Sequence, residues 1–256
     1  LGTSLNGKRA FTKRIEEALL DGRIDFAVHS LKDMPTELVS GLRIAAIPPR
    51  ADPRDVLVAH DGLSIRHMPE GTRVGTSSLR RQAQLLARWP GLRITDLHGN
   101  VGTRLRRLDA KEFDAVVVAA AGLHRLHLED RIVEPIFPDV VTPAPGQGAL
   151  AVEARAKDST VLRMLSAVDD PETRQTTGAE RELSARVGGN CNVPFGALAA
   201  LERGTMTLRA VIASPDGRRI VRAYAQDSAE RWRDVVDAAW KDLRDGGGEA
   251  ILEAFT

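Results

Sequence analysis

The sequence contains a single cysteine, Cys191, among its 256 residues. A lone thiol can make no internal disulfide and no metal site by itself, which leaves it packing or covalent chemistry. Aromatic residues make up only 4% of the chain, so its cores must be built from Val, Leu, Ile and Ala. A net charge of +1 gives no global attraction to nucleic acid or membrane, and neither is expected as a partner. No apolar run approaches the length of a membrane span. The opening residues, Leu1-Gly2-Thr3-Ser4-Leu5-Asn6-Gly7-Lys8, lack the apolar stretch of a signal peptide. One cysteine and no export signal make the cytoplasm the expected compartment. The first residue is Leu1 rather than Met, and trimming upstream is expected.

Hydrophobic residues at 43% and charged residues at 28% describe an ordinary globular composition, long enough for two or three modest domains. Residues 11–20 carry Phe11, Ile15, Ala18 and Leu19 on one helical stripe, closed by Asp21-Gly22. Ile24 to Val28 reads as a buried strand running into His29-Ser30-Leu31-Lys32-Asp33-Met34-Pro35, where the proline ends regular structure. Leu42 to Ile47 is a second short strand. Pro48 to Asp55 is proline-rich and charged, the composition of a domain crossing. Strand, Gly-containing turn and helix then repeat, with helices expected over 79–88 and near 101–108. This pattern implies a mostly parallel sheet with ligands at the strand C-termini. Pro143-Ala144-Pro145-Gly146-Gln147-Gly148 reads as a second crossing, so the block between the two is expected to be inserted into the first domain. A third unit has a helix over 176–185, the Cys191 loop, strands near 207–212 and 220–225, and a closing helix over about 229–244. The fold class is α/β in three domains: 1–48 with 149–167, an inserted 54–142, and a small α+β domain at 171–256.

Three constellations carry chemistry. Ser30-Leu31-Lys32-Asp33 places a carboxylate beside an ammonium at a strand end, fit for acid–base or cation-stabilising work, although a solvated surface pair has the same spelling. Gly75-Thr76-Ser77-Ser78-Leu79-Arg80-Arg81 opens a helix with free N–H groups, hydroxyls and two guanidiniums, which is either an anion site or a capped helix with solvated arginines. His98-Gly99-Asn100-Val101-Gly102-Thr103-Arg104 repeats that design, and Arg125 is placed to face the same cleft. Several basic helix starts in one block imply a ligand with several negative groups. No GxxxxGK[ST] stretch is present, which disfavours a nucleotide. His124 and His127 stand at i, i+3 without a third ligand, so no metal site is expected.

Five stretches in order resemble the porphobilinogen deaminase (hydroxymethylbilane synthase) family over essentially the whole chain: 27–35, 75–82, 99–104, 145–149 and 188–194. The resemblance implies two lobes like those of a type II periplasmic binding protein with a cleft between them, and a third domain that holds a dipyrromethane cofactor through a thioether to Cys191. It implies a monomeric transferase of tetrapyrrole (haem) biosynthesis that joins four porphobilinogen units, releasing ammonia each time, into hydroxymethylbilane. Asp33 would be catalytic, stabilising the cation left when ammonia departs. Lys32, Thr76, Ser78, Arg80, Arg81, Arg104, Gln147 and Gly148 would bind the cofactor. Ser30, His98, Asn100, Arg125, Lys8 and Phe11 would meet the acetates and propionates of the substrate.

Three departures accompany the resemblance. His98 stands where an arginine is usual, and imidazole is only partly charged at neutral pH and makes no bidentate fork. Arg9 replaces a glycine of a Gly-Lys-Gly-Leu-Phe pattern. A first segment of roughly fifty residues is expected to be missing, by the usual size of such a domain. Two other readings use the same arginines: a non-enzymatic two-lobed anion-binding protein, and a truncated, inactive paralogue that binds pyrroles.

Overall fold

The computed structural model describes residues 13–188 and 193–255. Residues 13–20 are helical (α1). There follow β1 (Phe26–Ser30), β2 (Leu42–Ala46), β3 (Asp55–Ala59), β4 (Arg73–Gly75), α2 (Leu79–Arg88), β5 (Arg93–Thr95), α3 (Val101–Asp109), β6 (Ala115–Ala119), α4 (Ala120–His124), β7 (Glu134–Ile136) and β8 (Leu150–Arg155). The chain continues through α5 (Ser159–Leu165), α6 (Pro171–Arg186), β9 (Phe195–Glu202), β10 (Thr205–Ala213), β11 (Ile220–Ser228), α7 (Trp232–Asp245) and α8 (Gly248–Leu252). No helix among the described residues is long and apolar enough to cross a membrane.

Three sheets organise these elements. In the first, β8 lies between β1 and β2 and runs antiparallel to both, with Val28 opposite Val152 and Ile44 opposite Glu153. Its central strand thus comes from beyond the second crossing. Leu31, Met34, Ile47, Ala149 and Ala151 form one small core beside it, and Leu19, Ala27 and Leu42 another.

The second sheet has the order β5-β4-β6-β3-β7. Its strands β6 and, from Val56 on, β3 are unbroken apolar runs because both faces are covered. Val56, Val58, Val116 and Val118 pack against Leu105, Leu108 and Leu123 of α3 and α4. Leu57, Ala115 and Val117 turn the other way, onto Leu85 of α2. The expected mostly parallel sheet is corrected here. Only the β4–β5 and β4–β6 pairs are parallel, whereas β3 runs antiparallel to β6 and to β7. The reason lies in the crossings: β3 enters the block and β7 leads out of it, so neither belongs to a strand–helix–strand repeat.

The third sheet is an antiparallel meander, β9-β10-β11, covered by α6 and α7. Strand β9 was not anticipated from the sequence, and α6 begins five residues before the expected start, at Pro171, with Asp170 capping it through Thr173 N (2.7 Å).

A single carboxylate fastens the crossings to this third unit. Glu180 of α6 is fully buried. It accepts from Arg50 Nη1 (2.6 Å) and Nη2 (3.1 Å) in the first crossing, from Gly146 N (2.7 Å) in the second, and from Ala199 N (2.9 Å) in β9. Close approach of backbone also joins the third unit to the second crossing and to α2. A Cβ on Gly196 would lie 2.6 Å from Thr142 O, and one on Gly217 2.5 Å from Ala83 O. Only glycine fits at these two contacts.

Candidate active site

The turn Leu31–Asp33 follows directly on β1. Leu31 anchors it: the side chain is 1% exposed and its N–H donates to Ala149 O (3.0 Å). Gly146 sits over that anchor at φ +72°, where a Cβ would meet Leu31 Cγ at 2.9 Å. The turn is therefore held against the second crossing, and the adjacent Lys32 Nζ lies 3.4 Å from Gln147 Oε1.

Gln147 is itself fixed. Its Nε2 donates to Pro53 O (2.8 Å) and to Asp55 Oδ1 (2.9 Å), which orients the amide and presents Oε1 to Lys32. Asp55, the first residue of β3, is fully buried. Its Oδ1 also accepts from Arg81 Nε (2.9 Å) and Nη2 (2.7 Å), and its Oδ2 from Arg80 Nη1 (2.7 Å). Further donors of the two arginines go to backbone: Arg80 Nη1 to Thr142 O (2.7 Å) and Arg81 Nη1 to Val117 O (3.0 Å). Both guanidiniums, expected to face a ligand, are 5% exposed and turned onto Asp55. A charged pair at a helix start can be satisfied by one buried acid from a neighbouring strand, and spacing alone does not reveal that acid.

The electrostatics follow from this packing. Burial pushes the Asp55 carboxyl up, but the guanidiniums of Arg80 and Arg81 overcome it and hold the group well below the usual carboxylate range. Burial, with Arg81 nearby, lowers Lys32 to about 8, against the opposing pull of Asp33 and Asp55. Burial and Arg81 also depress Arg104, which Asp33 and Asp96 oppose. Lys32, Asp33, Asp55, Arg80, Arg81 and Arg104 thus share one electrostatic neighbourhood, with Asp96 acting on Arg104: four cations against three acids.

The other expected residues are distributed around it. Arg104 is half-buried and donates Nε to Gly99 O (2.9 Å). Arg125 donates Nη2 to Gly148 O (2.7 Å). Gly148, at φ +89°, lies so close to the first crossing that a Cβ would come 2.4 Å from Ala51 O. Ser78 and Asn100 cap α2 and α3 through Arg81 N (3.4 Å) and Thr103 N (2.8 Å), and Thr76 Oγ1 accepts from Ser78 N (3.2 Å). Ser30 ends β1 opposite Leu150. His98 is exposed and paired with Asp96 Oδ2 (2.6 Å). Cys191, Lys8 and Phe11 lie outside the described residues. Asp55 and Glu180 were not anticipated; a signal for Asp55 existed, since an acid opening an otherwise apolar run must find a buried partner.

Two family models match this chain: the dipyrromethane cofactor-binding domain of porphobilinogen deaminase over residues 3–163, and the C-terminal domain of the same enzyme over residues 174–244. The chain belongs to the porphobilinogen deaminase family. A porphobilinogen deaminase of Roseiflexus castenholzii is 49% identical over 249 residues, covering 97% of this chain and 82% of the relative. One of Chromobacterium violaceum is 46% identical over 252 residues, covering 98% and 82%. Among solved structures, a putative methionine-binding lipoprotein of Bacillus subtilis is 12% identical over 63% of this chain and 77% of that one, at a TM-score of 0.40, too distant a likeness to add to the argument.

The residues of this porphobilinogen deaminase family member suit a polyanionic cofactor. Lys32 is depressed chiefly by burial, to which Arg81 and Arg80 add against the pull of Asp33 and Asp55. Acetate and propionate groups would oppose that depression.

Proposed function

We propose that this chain joins four porphobilinogen units into hydroxymethylbilane with loss of ammonia, working as a monomer in the cytoplasm on this small-molecule substrate alone. We read the three sheets as three domains, 1–48 with 149–167, 54–142, and 171–256, with Cys191 in the third as the attachment point. When bound there, dipyrromethane supplies the primer to which porphobilinogen is added.

The chain's own residues have distinct tasks. Asp33, on the short turn after β1, presents a carboxylate where positive charge develops as ammonia leaves, a preorganised arrangement that lowers the barrier to that step. Lys32 and Arg104 hold pyrrole carboxylates, with the helix starts at 76–78 and 99–100 offering backbone N–H groups. Arg80 and Arg81 are fixed by Asp55, which cancels one of their two charges and leaves one to raise the local positive potential. Arg125, Ser30, Asn100 and His98, with Lys8 and Phe11, complete the substrate surface, His98 more weakly than an arginine would.

The observation that carries this reading is the wiring of the Lys32–Asp33 turn, through Gln147 and Asp55, to the arginine pair, in a chain of this family. A non-enzymatic anion-binding protein would need neither an acid beside that lysine nor a tethering thiol. Intact mass spectrometry tests the reading: freshly purified protein should carry a covalent dipyrromethane that Cys191→Ser lacks, and it should consume porphobilinogen. An unmodified thiol together with no consumption would overturn it.

A further inference from the structure

Arg181 of α6 is half-buried, and burial lowers its basicity. Among the described residues it makes no ion pair. Its donors go instead to three consecutive carbonyls: Nη1 to Met34 O (3.5 Å), and Nη2 to Pro35 O (2.7 Å) and Thr36 O (3.3 Å). These are the residues that directly follow Asp33.

A guanidinium removed from water is usually compensated by a carboxylate, because that offsets the cost of desolvating its charge. Here the planar fork is used to hold backbone. A loop with a proline at its centre has few hydrogen bonds of its own to define its path. Met34 N does close the turn onto Leu31 O (3.1 Å), but the segment beyond is gripped from the third unit by this one side chain.

The C-terminal end of α6, just beyond Arg181, gives the grip its meaning. The helix closes at Val187, buried in the core of the third unit, and the chain then enters the segment that contains Cys191. Next to Arg181, Glu180 ties the same helical turn to both crossings. One rigid helix therefore touches the Asp33 segment at Arg181 and leads into the Cys191 segment at its C-terminus.

We infer that Arg181 is a positioning residue: by clamping the carbonyls of Met34, Pro35 and Thr36 it sets where Asp33 stands relative to the unit that carries Cys191. The inference rests on the functional reading above. The experiment compares Arg181→Met and Arg181→Lys with the unsubstituted protein by steady-state porphobilinogen consumption, intact mass and hydrogen exchange. In Arg181→Met, kcat should fall roughly tenfold to a hundredfold, as misplacement of a catalytic group by about 1 Å does. KM should stay within about threefold and the attached dipyrromethane mass should be retained. Amide exchange should quicken over 34–37 while the amides of β9–β11 keep their protection. Arg181→Lys, which can reach only part of the carbonyl set, should fall between the two. A kcat of Arg181→Met within twofold of the unsubstituted protein would overturn the inference. So would faster exchange spread through the third sheet with loss of the attached mass, which marks a general fold defect. If the unsubstituted protein consumes no porphobilinogen, the functional reading fails and takes the catalytic half of this inference with it, whereas exchange over 34–37 still decides the clamp.

Discussion

The two long helices that cover the third sheet are built on opposite principles. α7 turns Val235, Val236, Ala239 and Leu243 inward, the i, i+4, i+8 stripe of an ordinary amphipathic helix. α6 buries Thr173, Thr176, Thr177 and Glu180 alongside Ala179 and Leu183. The first helix holds its own sheet together. The second also buries polar side chains: Thr173 and Glu180 bond the crossings, and Thr176 and Thr177 bond carbonyls of their own helix, so its sequence hides its amphipathicity. Apolar packing fixes this chain's units from within, and buried polar contacts fix them to one another.

The two helices differ most at Glu180. Glu180→Ala leaves Arg50, Gly146 N and Ala199 N without their acceptor, and removing one partner of a buried ion pair costs about 3–5 kcal/mol. Denaturant unfolding should show that loss together with a drop in turnover per folded molecule. Leu243→Ala, on α7, should cost about 3 kcal/mol by cavity formation but leave turnover per folded molecule unchanged. If the two variants lose activity in equal proportion to stability, the distinction between the helices is wrong.

Acidity sharpens the same contrast. Lys32 sits at about 8 rather than near 10.5, so its ammonium is present below that pH and lost above it. KM for porphobilinogen should therefore climb as pH rises through about 8, and Lys32→Arg, which keeps its charge, should carry that limb above pH 10. A profile flat to pH 10 in the unsubstituted protein would remove Lys32 from carboxylate binding. The smallest effect is expected at the exposed rim: His98→Arg should raise turnover by a few-fold, read from the rate and from the distribution of chain-elongation intermediates, through a bidentate fork that imidazole lacks.

Part of the second sheet was legible because Val116-Val117-Val118 is a short, wholly apolar run of β-branched residues, whereas β3, emerging directly from the proline-rich crossing, was not anticipated. The sheet's strand directions were not legible, since they depend on how the chain enters and leaves the block. Strand β9 escaped notice because Phe195-Gly196-Ala197-Leu198-Ala199-Ala200-Leu201-Glu202 is rich in helix formers. It is extended because it pairs with β10 and because Gly196 passes against Thr142 O. In the candidate site, the motifs marked Lys32, Asp33 and Arg104 as chemistry-bearing residues, and the geometry draws them into one charged neighbourhood. Arg80 and Arg81 were recognisable as important, but their pairing was not: Asp55, an acid at the head of an apolar run, announces that it needs a buried partner, and the spacing of residues does not say which. Arg181 was hidden more deeply, because its partners are backbone carbonyls, which have no sequence signature.

The contact between Gly148 and Ala51 makes the connection between the first two sheets a doubled cord, two backbones laid flank to flank with no side chain to separate them. Any rotation of one sheet against the other must wind both strands together, and the Gly148 carbonyl, already shared by Ala51 N and the guanidinium of Arg125, is where the resulting torque would concentrate.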